Sequence, residues 1–407
     1  MRTILHSDLN NFYASCEQVL NPTLKGVAFA VCGSVEDRHG IILAKSQLAK
    51  EMGVKTAMTI KAAKDLCPDL VLVRARLDLY VEFSEKVRQI YLEFTDHVEP
   101  FGIDEAWLDV TNSKIFGTGE EIAEKIRQRV KELGLTVSVG VSFNKIFAKL
   151  GSDLKKPDAV SVINQSNYKK LVWQLPAEDL LFVGKSTKSK LNSIGIKTIG
   201  DIANTDEKVL RKLLGVWGSN LYRYANGLDD SPVMSKQEEE GVKSISNSLT
   251  DYKDLYNFEE VKTLLLLLSE SVASRLRDSG LGKASTVKIS VVNNALETCG
   301  KQTKLLHPTS SASEIASAAY GLFESLYKWE RPVRGAGVAV CDFTHGAEQL
   351  VMDFERDKHD KIDRLDSAVD GIRKKYGNNS VQRARILQDK KLSQTEIKGD
   401  PFGKNLK

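Results

Sequence analysis

Two adjacent carboxylates, Asp104 and Glu105, stand in the stretch VEPFGIDEAWLDV, which is otherwise largely apolar and typical of a strand hairpin. An ionised carboxylate costs several kcal/mol to bury unless a cation or hydrogen-bond donors compensate its charge. Because the flanking residues favour burial, we expect a positive partner for the pair. The identity of that partner decides what chemistry these residues could perform.

The backbone beside the pair must turn if both carboxylates are to act on one ion. Successive side chains of a regular strand point to opposite faces, and Gly102 allows such a bend. A third carboxylate, Asp8, follows the first apolar strand. Converging carboxylates without nearby His or Cys are ligands suited to Mg²⁺ or Mn²⁺ rather than zinc. The alternative is a solvated acidic pair in a loop, the commoner fate of such pairs alone.

Further motifs accompany these carboxylates in a set order along the chain. They are DLNNFYASCE (8–17), FGIDEAWLDV (101–110), SVGVSFNKIFAKLGSDLKKPDAV (138–160), KLNSIGIKTIGDIA (190–203) and KSISNSLT (243–250). Together they resemble the motifs of the Y-family, or translesion, DNA polymerases, most closely the bacterial DNA polymerase IV branch. Colinear motifs at appropriate spacing are a more specific signal than any one of them.

The resemblance implies an error-prone, template-directed DNA polymerase for translesion synthesis, which adds deoxynucleotides to a primer 3′-hydroxyl. It assigns Asp8, Asp104 and Glu105 as the catalytic, metal-binding carboxylates, with the main-chain oxygen of Leu9 as a further ligand. Two Mg²⁺ ions, for which Mn²⁺ could substitute, are expected about 3.5–4 Å apart.

The resemblance also implies a nucleotide pocket. Tyr13 matches the steric gate that excludes a ribose 2′-hydroxyl, and Phe12 beside it is either part of the pocket or a core aromatic. Lys156 matches a lysine that contacts the triphosphate, a role that suits a flexible ammonium. Gln47 and Lys50 stand where many members carry a Tyr and an Arg, so we expect a weaker or rearranged phosphate grip.

Basic residues of two other modules are expected to hold DNA. The thumb motif resembles a helix–hairpin–helix, whose turn offers backbone N–H groups to a phosphate, although Phe182 replaces one usual glycine. Lys145 and Lys149 match the lysines near the triphosphate more weakly. The expected DNA contacts are Gly184, Lys185, Lys188, Lys243, Ser244, Arg331 and Arg334.

A peptide after the last predicted strand resembles the sequence by which bacterial polymerases dock on the sliding clamp. It reads QLVMDF, and its expected contacts are Gln349, Leu350, Met352 and Phe354. The alternative is a final edge strand. Short motifs of this kind also arise by chance, so its position after the little-finger domain carries the assignment.

The order of predicted helices and strands indicates an α+β multidomain fold. The resemblance implies that this fold is a right-hand polymerase with palm, small fingers, helical thumb and an α+β little-finger domain. The expected segments are a palm (1–10 and 78–165), fingers (11–77), thumb (166–233), linker (234–242), little finger (243–345) and tail (346–407).

The tail contains one helical pattern. Ile362, Leu365, Val369, Ile372 and Tyr376 recur at a/d spacing over two heptads, which predicts a helix docked on another element. The residues from position 392 onward have the composition of a disordered tail.

The bulk composition agrees with a multidomain protein that contacts a polyanion through local patches. A chain of 407 residues with 42% hydrophobic content exceeds one core, and its formal net charge is only +4. Five scattered cysteines predict neither a disulfide framework nor a zinc knuckle. No apolar run approaches the roughly 20 residues of a membrane span. We expect a cytoplasmic monomer that binds primer–template DNA, deoxynucleoside triphosphates and the sliding clamp, but no membrane.

Two other functions are compatible with parts of this pattern. A catalytically reduced accessory factor of the same fold could bind DNA and the clamp, but the intact carboxylates at positions 8, 104 and 105 argue against it. A cyclase-type enzyme could also use a two-metal site, but it would leave the thumb-like module and the clamp-like peptide without a purpose.

Overall fold

The computed structural model describes residues 2–33, 40–235, 241–344 and 356–395. These residues form two compact units, each with its own hydrophobic core. The first unit contains the described residues up to 235, and the second contains those from 241 onward. Within the described ranges, every helix is too short or too polar to cross a bilayer.

The first unit contains two sheets and a series of helices. Its strands are β1 (Ile4–Leu9), β2 (Phe29–Cys32), β3 (Ile42–Lys45), β4 (Val71–Arg74), β5 (Val98–Pro100), β6 (Glu105–Asp109), β7 (Val137–Ser142) and β8 (Val160–Val162). Its α-helices are α1 (Phe12–Leu20), α2 (Gln47–Glu51), α3 (Ile60–Leu66), α4 (Leu77–Leu92), α5 (Gly119–Glu132), α6 (Lys145–Leu154), α7 (Tyr168–Val172), α8 (Lys185–Ser193), α9 (Ile199–Asn204), α10 (Glu207–Leu214) and α11 (Val216–Ala225).

Strand β1 is the centre of the larger sheet. The strand order is β5-β6-β1-β7-β8, with β1 antiparallel to both β6 and β7. One face of β1 carries Leu5 into the main core with Ile126 of α5, and the other carries Ile4 against Ala148 of α6. This alternation follows from the two-residue period of a strand. The smaller sheet, in the order β3-β2-β4, packs around its own core.

Helix α6 approaches the larger sheet unusually closely because two glycines face each other. A Cβ built on Gly140 of β7 would lie 2.0 Å from the Ala148 carbonyl oxygen and 2.4 Å from the Ser152 nitrogen. A Cβ built on Gly151 would lie 2.9 Å from the Gly140 Cα. The helix therefore rests on bare backbone, and side chains near its centre reach the neighbouring strands.

We predict that Gly140→Ala lowers the stability of the first unit by about 3 kcal/mol, because α6 must move away from β7 to admit the methyl group. The free energy of unfolding in urea measures the effect. The control is Gly33→Ala, where nothing lies within 4 Å of the new Cβ, and we expect a change within about 0.5 kcal/mol. Equal stability of the two variants would contradict the proposed close contact.

The second unit is an antiparallel sheet with helices packed against it. Its strands, β9 (Ser244–Leu255), β10 (Lys283–Asn293), β11 (Thr298–Thr309) and β12 (Val333–Thr344), pair in the order β11-β10-β12-β9. Helices α12 (Phe258–Ser279) and α13 (Ala312–Leu326) supply much of its core. The remaining helices are α14 (Arg356–Tyr376), α15 (Ala384–Leu387) and α16 (Lys390–Gln394).

Helix α14 docks by its polar side rather than by its apolar stripe. Asp366 and Asp370 are 5% and 8% exposed, whereas Leu365 and Tyr376 of the predicted stripe are 58% and 67% exposed. Ion pairs explain the orientation, since Arg277 of α12 lies 2.7 Å from Asp370. The expectation of a docked helix therefore holds, and the contact is made by acidic residues rather than by the a/d stripe.

The segment after α14 is also anchored to the unit. Glu270 of α12, 7% exposed, pairs with Arg373 at 3.0 Å and with Arg383 at 2.7 Å. Ile386 and Leu392 are buried, and Leu392 belongs to the core of the sheet and α12. The expectation that the tail is disordered from position 392 is therefore wrong for the first residues of that segment, because an apolar contact holds them.

We predict that Glu270→Gln lowers the opening free energy of α15 and α16 by about 3 kcal/mol, because two guanidinium groups lose a buried partner. Amide hydrogen exchange of residues 384–394 measures this energy. The matched control is Glu259→Gln in the same helix, since Glu259 pairs with Arg385 at the surface and should contribute less than about 1 kcal/mol. Similar effects of both variants would contradict an anchoring role for Glu270.

Candidate functional site

The candidate site is built where Asp8 of β1 faces Glu105 of β6. The two residues are direct partners in the antiparallel pairing of these strands. Direct partners on adjacent strands project to the same face, so the two carboxylates lie side by side. Their side chains are 14% and 19% exposed. The register therefore brings together two acidic groups that are distant in the sequence.

Two lysines supply the positive charge that these carboxylates require. The Lys149 ammonium lies 3.1 Å from Asp8 Oδ2 and 2.6 Å from Glu105 Oε2. The Lys156 ammonium lies 2.9 Å from the same oxygen of Asp8. Burial acts to lower the pKa of Lys149, but the charges on Glu105 and Asp8 outweigh it and hold the pKa above its ordinary value. Lys149 is therefore a charged bridge between the two strands.

Asp104 occupies the bend just before β6. Its carbonyl oxygen accepts a hydrogen bond from the Leu9 N–H at 2.9 Å, which fastens the bend to the end of β1. A Cβ built on Gly102 would lie 3.5 Å from Asp104 Oδ1 and 3.8 Å from Glu105 Oε1, so this position adjoins both acidic side chains at ordinary van der Waals distance. Burial, followed by the negative charges of Asp8 and Glu105, raises the pKa of Asp104 to about 6.

This arrangement fits a divalent metal ion by its chemistry. The donors are carboxylate oxygens, and Asp8 and Glu105 already share one cation. Burial, and then the charges of these two residues, raises the pKa of Asp104, and a bound cation would oppose that shift. Among the residues that the structure describes, no three acidic, His or Cys side chains form a ready cage around a single point. The structure thus brings Asp8 and Glu105 together on one cation, with Asp104 in the field of both.

His6 is a site residue that sequence reasoning missed. It is fully buried, its Nδ1 lies 2.9 Å from Ser152 Oγ, and that hydroxyl donates to the Lys149 carbonyl oxygen at 2.8 Å. Its Nε2 lies 3.5 Å from Glu105 Oε2 and has no hydrogen-bond partner among the described residues. Burial, aided by Lys149 and Lys156, lowers the pKa of His6 well below its ordinary value. A neutral imidazole therefore backs the Glu105 carboxylate.

Tyr13 lies in the first turn of α1, which begins shortly after β1 ends. Its ring stacks on Tyr80 of α4, with centroids 4.3 Å apart and planes 14° from parallel. The Tyr80 hydroxyl donates to Glu17 Oε1 at 2.7 Å, and Glu17, 2% exposed, pairs with Arg76. Phe12 is 3% exposed and belongs to the main core, which favours its interpretation as a core aromatic. Tyr13 is thus held by a chain of contacts that ends in the ion pair of the buried Glu17 with the half-exposed Arg76.

Lys145 occupies a different environment from Lys149. Its ammonium lies 2.7 Å from both Glu99 oxygens and 4.5 Å from the centroid of the Trp107 ring. The Trp107 indole N–H donates to the Lys145 carbonyl oxygen at 2.9 Å. Since Glu99 also accepts the Met234 N–H at 2.9 Å, these contacts hold several segments of the first unit together. They do not support the weaker assignment of Lys145 to a triphosphate.

Gln47 lies at a cleft of about 380 Å³ between the two sheets of the first unit. Asn11 and Pro157 also line this cleft, and Pro157 follows Lys156 directly. Lys50, one turn along α2, is exposed. Gln47 and the segment that follows Lys156 therefore border the same cleft.

Gly184 of the thumb module is the residue before the first turn of α8. The first N–H groups of a helix lack intrahelical partners and suit an anion. Lys185 is exposed at this helix start. Lys188 forms an ion pair with Glu178 at 2.7 Å, and both side chains are about two-fifths exposed, so part of its charge is already balanced.

The remaining expected DNA contacts lie in the second unit. Lys243 precedes β9, Ser244 begins it, Arg331 precedes β12 and Arg334 lies within it. Arg331 Nε lies 3.9 Å from Glu297 Oε2. Residues 349–354 of the clamp-like peptide lie outside the described residues.

The sequence contained a signal for His6 and only part of the signal for Lys149. His6 is two positions before Asp8 on a strand, so both must face the same side of the sheet. Lys149 lies one turn after Lys145 on α6, and periodicity places both on similar sides of the helix. Only the packing of α6 on β7 decides which of the two lysines reaches the carboxylates.

Comparisons with known families match most of the described chain. Residues 7–153 match the impB/mucB/samB family, and residues 242–352 match the C-terminal domain of the same family. Residues 178–229 match the thumb domain of DNA polymerase-iota. The first match includes all three candidate carboxylates, and the last includes the helix–hairpin–helix-like module.

Relatives and solved structures extend these matches over nearly the full length. A DNA polymerase IV of Acetivibrio thermocellus is 50% identical over 396 residues, which covers 96% of this chain and 99% of the relative. A DNA polymerase IV of Moorella thermoacetica is 38% identical over 392 residues, covering 95% and 96%. The solved "Y-family DNA polymerase chimera Dbh-Dpo4(243-245)-Dbh" is 26% identical with a TM-score of 0.75, and covers 84% of this chain and 100% of that one.

These findings confirm both the resemblance in sequence and the α+β polymerase fold class. The identity to the first relative, and the share of both chains that it covers, leave little of the sequence unaccounted for. On these grounds the chain belongs to the Y family of DNA polymerases.

Proposed function

We propose that this DNA-directed DNA polymerase holds two divalent cations, Mg²⁺ in the cell, with Asp8, Asp104 and Glu105 and extends primers across damaged templates. The observation that carries the proposal is the shared cation of Asp8 and Glu105, which are 3.1 Å and 2.6 Å from one ammonium. Carboxylates that converge on the Lys149 ammonium can bind a divalent cation in its place. The main-chain oxygen of Leu9 is proposed as an additional ligand.

In the proposed reaction, the primer 3′-oxygen attacks the α-phosphorus of the incoming nucleotide, and pyrophosphate leaves. Divalent cations at such a site lower the pKa of the attacking hydroxyl and neutralise charge on the leaving group. Asp8, Asp104 and Glu105 would hold these cations by their negative charge, and burial, followed by the charges of Asp8 and Glu105, raises the pKa of Asp104 to about 6. Lys156, already 2.9 Å from Asp8, supplies positive charge for the triphosphate.

The sugar of the nucleotide is proposed to rest on Tyr13. The ring is positioned by its stacking on Tyr80, which Glu17 and Arg76 fix in turn. A ring that cannot retreat leaves no room for a 2′-hydroxyl. Gln47 and Lys50 are proposed to contact the triphosphate, with a weaker grip than a phenol and a guanidinium would give.

We further propose that DNA is held through its backbone by the thumb and the second unit, without reading base sequence. The thumb contribution is the start of α8, with Gly184, Lys185 and Lys188. The second unit would contribute Lys243, Ser244, Arg331 and Arg334. Residues 349–354 are proposed to bind the sliding clamp, and the enzyme is proposed to act as a cytoplasmic monomer. Five free cysteines agree with a reducing compartment.

An accessory factor that kept the fold without the chemistry is the main alternative. It would have no use for buried, mutually repelling carboxylates, which cost stability in a protein that does not bind a cation there. The alternative predicts no metal-dependent primer extension by the parent protein. That assay therefore separates the two functions directly.

We predict that Asp104→Asn and Glu105→Gln each reduce the rate of primer extension with Mg²⁺ by at least about a hundredfold. Each substitution removes a negative charge that is proposed to hold the cations, and these cations would stabilise the charge of the transition state. Extension of a labelled primer on a defined template measures the rate. The control is Asp109→Asn at the other end of β6, whose carboxylate accepts the Thr111 N–H. Unchanged rates in both site variants would refute the catalytic assignment.

We predict that Tyr13→Ala reduces discrimination against ribonucleotides by about tenfold or more, since the space beneath the sugar opens. The ratio of kcat/KM for a deoxynucleotide to that for its ribonucleotide measures selectivity. Tyr13→Phe keeps the ring and its stacking on Tyr80 and should retain the parental ratio. A Tyr13→Ala protein that still excludes ribonucleotides would remove the gate from the proposal without affecting the carboxylates.

A further inference from the structure

The turn before α8 contains a backbone outlier in the thumb module. Phe182 has φ of 71°, in the left-handed region, where a bulky residue is rare and glycine is favoured. The next residue, Val183, is 7% exposed and anchors the turn in the thumb core. The fold therefore requires this backbone conformation but does not require a phenyl ring at the strained position. Strain of this kind concentrates at functional sites.

The ring of Phe182 forms an exposed aromatic pair with Trp217 of α11. Their centroids are 5.4 Å apart with planes at 45°. Phe182 is 49% exposed and Trp217 is 53% exposed, so neither ring is buried by the fold. Trp217 is held in place because Gly218 abuts α10, where a Cβ would lie 2.1 Å from the Leu210 carbonyl oxygen. The pair is thus a rigid, solvent-facing aromatic ledge.

The ledge adjoins the proposed phosphate-binding end of α8. Phe182 and Gly184 flank the buried Val183, and Gly184 leads into the first turn of the helix. Lys185 and Lys190 of α8 are exposed. A polyanion drawn to this basic helix start would place the sugar next to each bound phosphate within reach of the rings. In a duplex the base faces are already stacked, so the rings would contact sugars and base edges, and such apolar contacts do not depend on phosphate charge.

We propose that Phe182 and Trp217 form a contact surface for the sugar and base edges of primer–template DNA held by the thumb. This inference rests on the proposed function, since it requires DNA at the α8 hairpin. The contact supplies apolar affinity that does not depend on phosphate charge. It would supplement a backbone grip that has lost one usual hairpin glycine and in which Lys188 is paired with Glu178.

The test is the affinity of the full-length protein for a fluorescein-labelled primer–template duplex, measured by anisotropy between about 50 and 200 mM KCl. We expect Phe182→Gly and Trp217→Ala each to raise the Kd about fivefold to tenfold, with the slope of log Kd against log salt unchanged. Lys185→Ala should instead reduce that slope by about one. Trp217→Phe keeps an aromatic face and should retain the parental Kd within about twofold.

Stability measurements separate this role from a purely structural one. Phe182→Gly replaces a strained residue with the one that the backbone favours, so its melting temperature should equal or exceed that of the parent. The control is Val209→Ala, at a 47% exposed position of α10 outside the ledge, for which we expect parental affinity. Parental affinity of both ledge variants, or a loss that follows the melting temperature, would overturn the inference. A parent that fails to extend primers would overturn the proposed function instead.

Discussion

The ion contacts of Lys149 with Asp8 and Glu105 are the constraint on which the site depends. Two carboxylates on adjacent strands repel each other and lose hydration when covered, so they stay together only with a cation between them. The ammonium reaches them because α6 rests on bare backbone at Gly140 and Gly151. The close contact of the two glycines thus determines where the Lys149 ammonium lies. The position of the acidic pair therefore depends on the packing of α6 against the sheet.

A second buried charge positions Tyr13. Glu17 of α1 would be costly to bury alone, but Arg76 and the Tyr80 hydroxyl satisfy it. Since Tyr80 stacks on Tyr13, the contacts that compensate Glu17 also hold the Tyr13 ring. The two strand carboxylates and the Tyr13 ring are thus positioned by separate ion pairs, that of Lys149 and that of Glu17 with Arg76.

The resemblance of the motifs predicted that Asp8, Asp104 and Glu105 would converge, and the register of β1 with β6 explains why Asp8 and Glu105 meet. The same reasoning could not distinguish Lys145 from Lys149. One turn apart on α6, they differ only in what packs opposite, which is Glu99 for the first and the strand carboxylates for the second. The sequence therefore showed that a lysine was present on α6 but not which lysine contacts the carboxylates. Tertiary packing, which local sequence patterns do not record, places Lys149 rather than Lys145 at the contact.

Helix α14 shows the same limit in the opposite direction. Its a/d stripe predicted an apolar contact, yet Leu365 is exposed while Asp366 and Asp370 are buried. The surface of α12 offers Arg277 rather than an apolar groove, and an unpaired buried guanidinium would cost more than an exposed leucine. The pattern of apolar and polar residues shows which side of a helix could be buried. The surface against which the helix packs determines which side is buried. The ion pairs of Arg277 with Asp366 and Asp370 therefore determine which side of α14 faces α12.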